Sequence, residues 1–114
     1  MAIDRLRTVL WVEAQMILCS QRNQPVYIKK KGDPDAGVIF LHLNKLDGTN
    51  ELFTQIREIE GILNWLPVGD KGRLNDIEID EYLAKQEAYD PDIWIIEVFF
   101  KGKPKHFPKT NCHI

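Results

Sequence analysis

Apolar positions along the chain predict two helices. Over residues 8–20 they cover nearly the whole circumference of a helix, which is typical of a helix buried on most of its surface. The polar stretch that follows ends at Pro25, where we expect this helix to have stopped. Over residues 76–88 apolar residues recur at helical spacing, which predicts an amphipathic surface helix. Asn75 and Glu78 match the spacing of a capping box at its start.

Alternating or continuous apolar runs predict the strands. We expect them over residues 26–31, 38–43, 51–56 and, with weaker alternation, 62–66. Residues 93–100 are apolar on both faces except at Glu97, which is typical of a central strand. Asp33-Pro34 predicts a turn, from which we expect the first two strands to pair antiparallel. Asp47-Gly48 predicts a tight hairpin that pairs the second strand with the third.

The order of these elements predicts the fold class. A helix, three or four strands, a second helix and a last strand indicate an α+β fold with a mainly antiparallel sheet of four to six strands and two helices. The 114 residues have the length of one ordinary domain, so we expect a single domain over residues 1–114. Residues 101–114 carry four lysines and two prolines, which indicates a loose basic tail.

Composition narrows the classes of partner and compartment. Fifteen basic and 17 acidic residues give a net charge of −2, so no global cationic field is present to attract nucleic acid. Glu13 and Gln15 interrupt the first apolar stretch, which argues against a secretory signal, and no run reaches the roughly 18–20 residues of a membrane span. Cys19 and Cys112 form neither a disulfide scaffold nor a metal-binding pair. We therefore expect a cytoplasmic protein without a cofactor.

The tripeptide Asp-Pro-Asp occurs twice, each time before an apolar strand. Such carboxylates suit a hard cation such as Mg²⁺ or Ca²⁺. The four acidic residues are Asp33, Asp35, Asp90 and Asp92. Turn chemistry accounts for each copy by itself, and the two loops are distant in sequence with no evident reason to meet. We interpret both copies as turns and predict no metal site.

Glu97 and His42 are the candidate acid–base residues. Glu97 interrupts an apolar strand, and His42 ends another one. Burial would suit a carboxyl group for general acid or base catalysis, but buried carboxylates are usually paired, often for structure alone. An enzyme that uses Glu97 or an Asp-Pro-Asp carboxylate with His42 remains one alternative. It requires these groups to lie within about 3–4 Å of one another or of a shared pocket.

A basic strip provides a second alternative. Lys29, Lys30 and Lys31, with Lys45 and the C-terminal lysines, place several cations near Tyr27, whose ring suits base stacking. This pattern is compatible with weak binding of single-stranded RNA. An edge strand guarded by lysines against unwanted pairing explains the same residues more simply.

The leading hypothesis is a small non-enzymatic domain that binds an unknown protein or itself as a homo-oligomer. No catalytic spacing is present, and the first helix has more apolar surface than one small sheet need cover. Trp11, Ile17 and Leu18 are the candidate contact residues.

Several motifs, taken in order, resemble those of a bacterial family, domain of unknown function 1491 (DUF1491). They are WVEA at residues 11–14, GDPDAG at 32–37, NKLDGT at 44–49, YDPDIWIIE at 89–97 and HF at 106–107. The chain has Leu18 and Cys19 where family members tend to have arginines, and residues 56–73 match little. The resemblance implies a single domain and brings no activity, cofactor or catalytic residue with it.

Overall fold

The computed structural model describes residues 8–57, 63–69 and 73–101. In chain order the elements are α1 (Thr8–Gln21), β1 (Val26–Lys30), β2 (Ile39–Asn44), β3 (Thr49–Arg57), β4 (Leu63–Pro67), β5 (Arg73–Asn75), α2 (Asp76–Tyr89) and β6 (Trp94–Phe99). Two helices and a six-stranded, mostly antiparallel sheet confirm the predicted α+β class. The predicted tail lies outside the described residues, apart from Lys101. In the described part of the chain, neither helix has the length and apolar character that a membrane crossing requires.

The strand order is β1-β6-β2-β3-β4, and β5 pairs with β3. β6 is parallel to β2 and antiparallel to β1, with Ile96 opposite both Leu41 and Ile28. The predicted pairing of the first strand with the second is therefore wrong. β6 is apolar on both faces and occupies a central position between them, as such a pattern requires. The predicted pairing of the second and third strands is confirmed.

The two helices cover opposite faces of the sheet. On one face Trp11, Val12 and Cys19 of α1 join a core that includes Leu41 and Ile96. On the other face α2 contributes its own apolar residues to a second core, whose members are Phe40, Leu52, Ile79, Leu83, Ile93 and Ile95. Because β2 and β6 supply residues to both cores, these two strands form the centre of the molecule.

α1 ends where the sequence predicts but is less buried than expected. Asn23 adopts φ 55°, and the Gln24 N–H donates to Cys19 O at 2.9 Å, so the chain leaves the helix through a left-handed cap. Its outer side is solvent-exposed, with Leu10 at 45% and Ile17 at 59% exposure. The prediction of burial on most of its surface is therefore wrong. An apolar helical pattern does not distinguish a side that faces the core from one that faces outward.

α2 begins with the predicted capping box. The Asn75 side chain accepts from the Glu78 N–H at 2.8 Å, and the Glu78 carboxylate accepts from the Asn75 N–H at 2.9 Å. The amphipathic pattern is also confirmed, because Ile79 and Leu83 are buried among otherwise exposed or half-buried neighbours. β5, which directly precedes this helix, is three residues long and gave no recognisable pattern in the sequence.

Candidate functional site

A buried polar cluster on the α2 side of the sheet is the main candidate site. His42 of β2 and Glu97 of β6 are neighbours in the parallel ladder, with 3.6 Å between His42 Nδ1 and Glu97 Oε2. Their exposed fractions are only 3% and 8%. The distance meets the requirement set for a cooperating pair. We call this site the His42–Glu97 cluster; it also contains Lys29, Asn44, Asn50 and Asp76.

Glu97 receives one hydrogen bond and one longer ionic contact. The Asn44 amide donates to Glu97 Oε2 at 3.1 Å, and Lys29 Nζ lies 3.9 Å from Glu97 Oε1. Lys29 comes from the outermost strand, β1, so Glu97 lies between the interior of the sheet and its edge. A lysine and an amide on one carboxylate are typical of a structural ion pair in a sheet.

The contacts of Asn50 determine which nitrogen of His42 carries the hydrogen. His42 Nε2 lies 2.7 Å from Asn50 Oδ1. The Asn50 amide nitrogen donates to Leu74 O at 3.2 Å and to Asp76 Oδ1 at 2.8 Å. Turning this amide around would set its oxygen against two other oxygens, so its carbonyl must face the ring. His42 Nε2 is therefore the donor.

This tautomer leaves a lone pair on Nδ1 of the neutral ring, directed toward the Glu97 carboxylate. Nδ1 is buried and has no hydrogen-bond partner within the described part of the chain. Burial lowers the pKa of His42, while the Asn50 hydrogen bond and the Glu97 charge act in the opposite direction more weakly. Asp80 of α2 also favours the charged ring, and Lys29 disfavours it. Neither nitrogen is open to a substrate, because Nε2 is occupied and the ring is buried.

The sequence pattern indicates Glu97 and His42 but not the amides that connect them to α2. Asn44 ends β2 and Asn50 lies near the start of β3, both beside the hairpin, where polar residues are usual, so no pattern in the sequence distinguishes them. Asp76 lies in the first turn of α2. Its carboxylate accepts from Asn50, so the first turn of α2 is joined to the cluster.

The basic strip is already partly engaged within the protein. Lys29 contacts Glu97, Lys30 Nζ donates to Pro91 O, and Lys45 Nζ lies 2.7 Å from Glu51 Oε2. Tyr27 is exposed, with its ring in edge contact with Phe99 at 6.3 Å. Ion pairing and hydrogen bonding within the fold thus account for Lys29, Lys30 and Lys45, three lysines of the predicted RNA-binding strip.

The two Asp-Pro-Asp turns lie side by side, although they are distant in sequence. The Asp33 N–H donates to Asp92 O at 2.9 Å, and Trp94 Nε1 donates to Asp33 O at 2.8 Å. The expectation that the two turns have no reason to meet is wrong, because β2 and β6 are parallel neighbours and their starts therefore lie together at one end of the sheet.

The first carboxylate of each turn binds the turn's own backbone. Asp33 Oδ2 accepts from the Ala36 N–H at 2.8 Å, and Asp90 Oδ1 accepts from the Asp92 N–H at 3.0 Å. Asp35 contributes its carbonyl to the Thr8 N–H at the start of α1. Across residues 8–57, 63–69 and 73–101, no group of three or more His, Cys, Asp or Glu side chains is arranged to hold a metal ion.

The candidate contact residues of α1 do not form one surface. Trp11 is buried and packs against Trp65, with ring centroids 5.7 Å apart, so it is not available to a partner. Leu18 is half-buried and Ile17 is exposed. The exposed apolar line consists instead of Leu10, Ala14 and Ile17, which we call the outer strip of α1.

Comparisons with known proteins identify the family. A family model described as "Protein of unknown function (DUF1491)" matches residues 6–106. The chain belongs to the DUF1491 family. This confirms the resemblance carried by the turn and strand motifs, and it leaves the activity unknown, because no specific activity comes with the family. No curated protein matches the chain.

Solved structures of DUF1491 proteins share this fold. A crystal structure of a DUF1491 family protein from Caulobacter crescentus is 25% identical and covers 82% of this chain and 87% of its own, with a TM-score of 0.71. An NMR structure labelled in the same way, also from C. crescentus, gives 25% identity, coverage of 84% and 86%, and a TM-score of 0.70. Protein Atu0922 from A. tumefaciens, at 20% identity, coverage of 93% and 99% and a TM-score of 0.68, supports the fold alone.

Proposed function

We propose that this DUF1491 chain is a small non-enzymatic binding domain that associates with a second copy of itself through the outer strip of α1. The supporting observation is the exposure of Leu10 and Ile17 on the side of α1 that faces away from the sheet. Exposed apolar side chains mark an interaction surface when they adjoin one another, and not when they are scattered singly.

The outer strip is continuous and lies opposite the core. Leu10, Ala14 and Ile17 are spaced four and three residues apart, so they follow one line along the helix. Cys19, which is fully buried, follows Leu10 by nine residues and therefore lies about 180° around the axis. α1 thus has two apolar sides, and the sheet covers only one of them.

The chemistry of the strip favours a second copy over a differently charged partner. Glu13 is the only charged residue of α1, so the strip has no charge pattern for a partner of opposite sign to match. An antiparallel pairing of two α1 helices about a two-fold axis near Ala14 brings Leu10 of each copy close to Ile17 of the other. The small Ala14 side chain lets the two helices approach closely at the centre.

The geometry of the His42–Glu97 cluster supports a non-enzymatic role. The short distance between the two side chains satisfies the first requirement of the enzyme alternative. In a catalytic carboxylate–histidine pair, the imidazole nitrogen that faces away from the carboxylate exchanges the proton with the substrate. In this protein that nitrogen is hydrogen-bonded to Asn50. The cluster therefore connects β6, β2, β3 and α2, and it offers no reactive atom to a substrate.

Sedimentation equilibrium of the full chain tests the proposal. We expect a monomer–dimer equilibrium that Ile17→Glu weakens. Ile77→Glu is the matched control, since Ile77 is 70% exposed on the other helix and should leave association unchanged. Full burial of an isoleucine contributes about 1.5–3 kcal/mol, and roughly half of this burial is still to be gained when Ile17 enters the dimer. Because each dimer contains two copies of Ile17, the binding free energy lost in Ile17→Glu is about 2 kcal/mol, or roughly 30-fold in Kd.

Two outcomes would overturn the proposal. One is a wild-type chain that stays monomeric up to about 0.5 mM, a concentration at which even a weak dimer forms by mass action. The other is an Ile17→Glu variant that dimerises as well as the wild type while its circular dichroism shows an intact fold. Equal weakening by Ile77→Glu would assign the association to nonspecific apolar contact.

A further inference from the structure

The end of the sheet where β6 stops carries a cleft of about 310 Å³. It lies between the turn after α1, the β2–β3 hairpin and the last residues of β6. We call it the sheet-end cleft; its lining residues are Asn23, Gln24, Pro25, Leu46, Phe99, Phe100 and Lys101. A volume near 300 Å³ lies at the small end of the range for pockets that take small molecules.

The cleft has apolar walls held in place by backbone hydrogen bonds. The Phe99 N–H donates to Pro25 O at 3.1 Å, and the Phe100 N–H donates to Asn44 O at 3.0 Å. The Phe99 ring is also in edge contact with the exposed ring of Tyr27. These contacts fix Pro25, Phe99 and Phe100 relative to the hairpin, so the cleft is preformed.

Leu46 is in a conformation that its side chain disfavours. It adopts φ 65° at the tip of the hairpin, where glycine or asparagine is the usual residue, and it is 52% exposed. The neighbouring Asp47-Gly48 pair does supply a glycine, at φ 87°. A leucine in a strained conformation at the exposed rim of a cleft lowers local stability. Such backbone outliers concentrate at binding sites.

The charge of the lining indicates what the cleft accepts. Among the lining residues that the structure describes, Lys101 provides the one formal charge. Backbone N–H groups offer little to an anion, because those of Asn23, Gln24, Leu46, Phe99 and Phe100 already donate within the protein. A phosphate needs several donors, whereas a carboxylate is satisfied by one cation and a side-chain amide, and Asn23 also lines the cleft.

We propose that the sheet-end cleft binds a small carboxylate with an apolar body. The carboxylate lies on Lys101, and the apolar body packs against Leu46 and Phe99. This inference goes beyond the proposed association, uses none of the residues of the outer strip, and holds whether or not the chain forms a dimer.

Two-dimensional ¹⁵N NMR of the full chain tests it with phenylacetate and its neutral amide, phenylacetamide. Ligands of this size bind simple pockets with Kd values of about 1 mM. We expect saturable shifts at Leu46, Phe99 and Lys101, with the acid binding about 10-fold more tightly than the amide. Lys101→Gln should remove that preference while leaving the amide unaffected.

A second pair of variants separates binding from packing. Leu46→Asn should weaken phenylacetate binding at least 5-fold while the melting temperature stays unchanged or rises, because asparagine tolerates a positive φ. Leu66→Asn is the matched control, since Leu66 is 49% exposed on β4 and outside the cleft. The proposal is overturned if 20-fold excess over that Kd gives no saturable shifts, if the shifts lie elsewhere, or if acid and amide bind equally to the wild type. It is also overturned if Leu46→Asn lowers the melting temperature and leaves binding intact.

Discussion

Replacing Glu97 by glutamine tests the hydrogen-bonding pattern of the buried cluster directly. In the wild type, the Nδ1 lone pair of His42 faces a carboxylate at 3.6 Å and has no donor within the described residues. In Glu97→Gln the new amide nitrogen can donate to Nδ1 only from the position of Oε2, which is the atom that accepts from Asn44, so one hydrogen bond is gained as the other is lost. The substitution removes one negative charge without changing the size of the side chain.

The expected effect is a small loss of stability. A buried group left without its hydrogen-bond partner costs about 1–3 kcal/mol, so the hydrogen bond gained at Nδ1 and the one lost at Asn44 offset each other. The long contact between Lys29 and Glu97, whose loss adds to the cost, contributes about 0–1 kcal/mol. We therefore expect the free energy of unfolding at pH 8 to fall by about 0–1 kcal/mol, which corresponds to about 0–4 °C in melting temperature for a domain of this size.

Urea unfolding at pH 8 measures this change, and long-range ¹H–¹⁵N NMR observes the tautomer of His42 in the same samples. Glu97→Ala is the matched control and should destabilise by about 1–3 kcal/mol, because it leaves the Asn44 amide without its acceptor. A loss of more than about 1 kcal/mol in Glu97→Gln, or a hydrogen found on Nδ1 alone, would refute the reasoning. The cluster would then be held by an imidazolium–carboxylate pair.

Three further predictions concern stability. Burial lowers the pKa of His42 in the folded chain, so below about pH 6.5 the unfolded state binds a proton that the folded state does not. The free energy of unfolding should therefore fall as the pH drops through this range. In His42→Gln this fall should be less steep. Gly32→Ala should destabilise the fold by more than about 2 kcal/mol in thermal unfolding, because a Cβ at this position would lie 2.1 Å from Asp92 O. Gly48 has open space around it, so Gly48→Ala should cost only about 1 kcal/mol, for its positive φ alone. Asn75→Ala should cost about 1 kcal/mol in urea unfolding through loss of the α2 cap, and an unchanged value would mean that the capping box is not formed in solution.

Local patterns predicted the elements well because their causes are local. The capping box at Asn75, the Asp47-Gly48 hairpin and the apolar run of β6 each depend on residues within a few positions of one another. The order of the strands has no local cause. The run in β6 indicates a central strand, but nothing in it specifies β1 and β2 as the two neighbours.

The candidate site was only half predictable for the same reason. Glu97 and His42 stood out as polar residues in apolar strands, but the parallel pairing that brings them together joins residues 55 positions apart in the chain. That pairing also explains why the two Asp-Pro-Asp turns meet. On α1 the error had a different cause, since apolar residues on both sides of a helix are equally compatible with two buried sides and with one side left open.

The position of the last strand also constrains how the chain reaches its native state. β1 is synthesised early but pairs with β6, whose residues Trp94–Phe99 come near the end of the described chain. During translation β1 is therefore unpaired until β6 has been synthesised. The edge of β2 that β6 later occupies is also unpaired during this time. Contacts between such distant parts of a sequence make folding slow, on the order of milliseconds to seconds. Nascent or truncated chains that end before Trp94 should for this reason be prone to aggregation and dependent on chaperones.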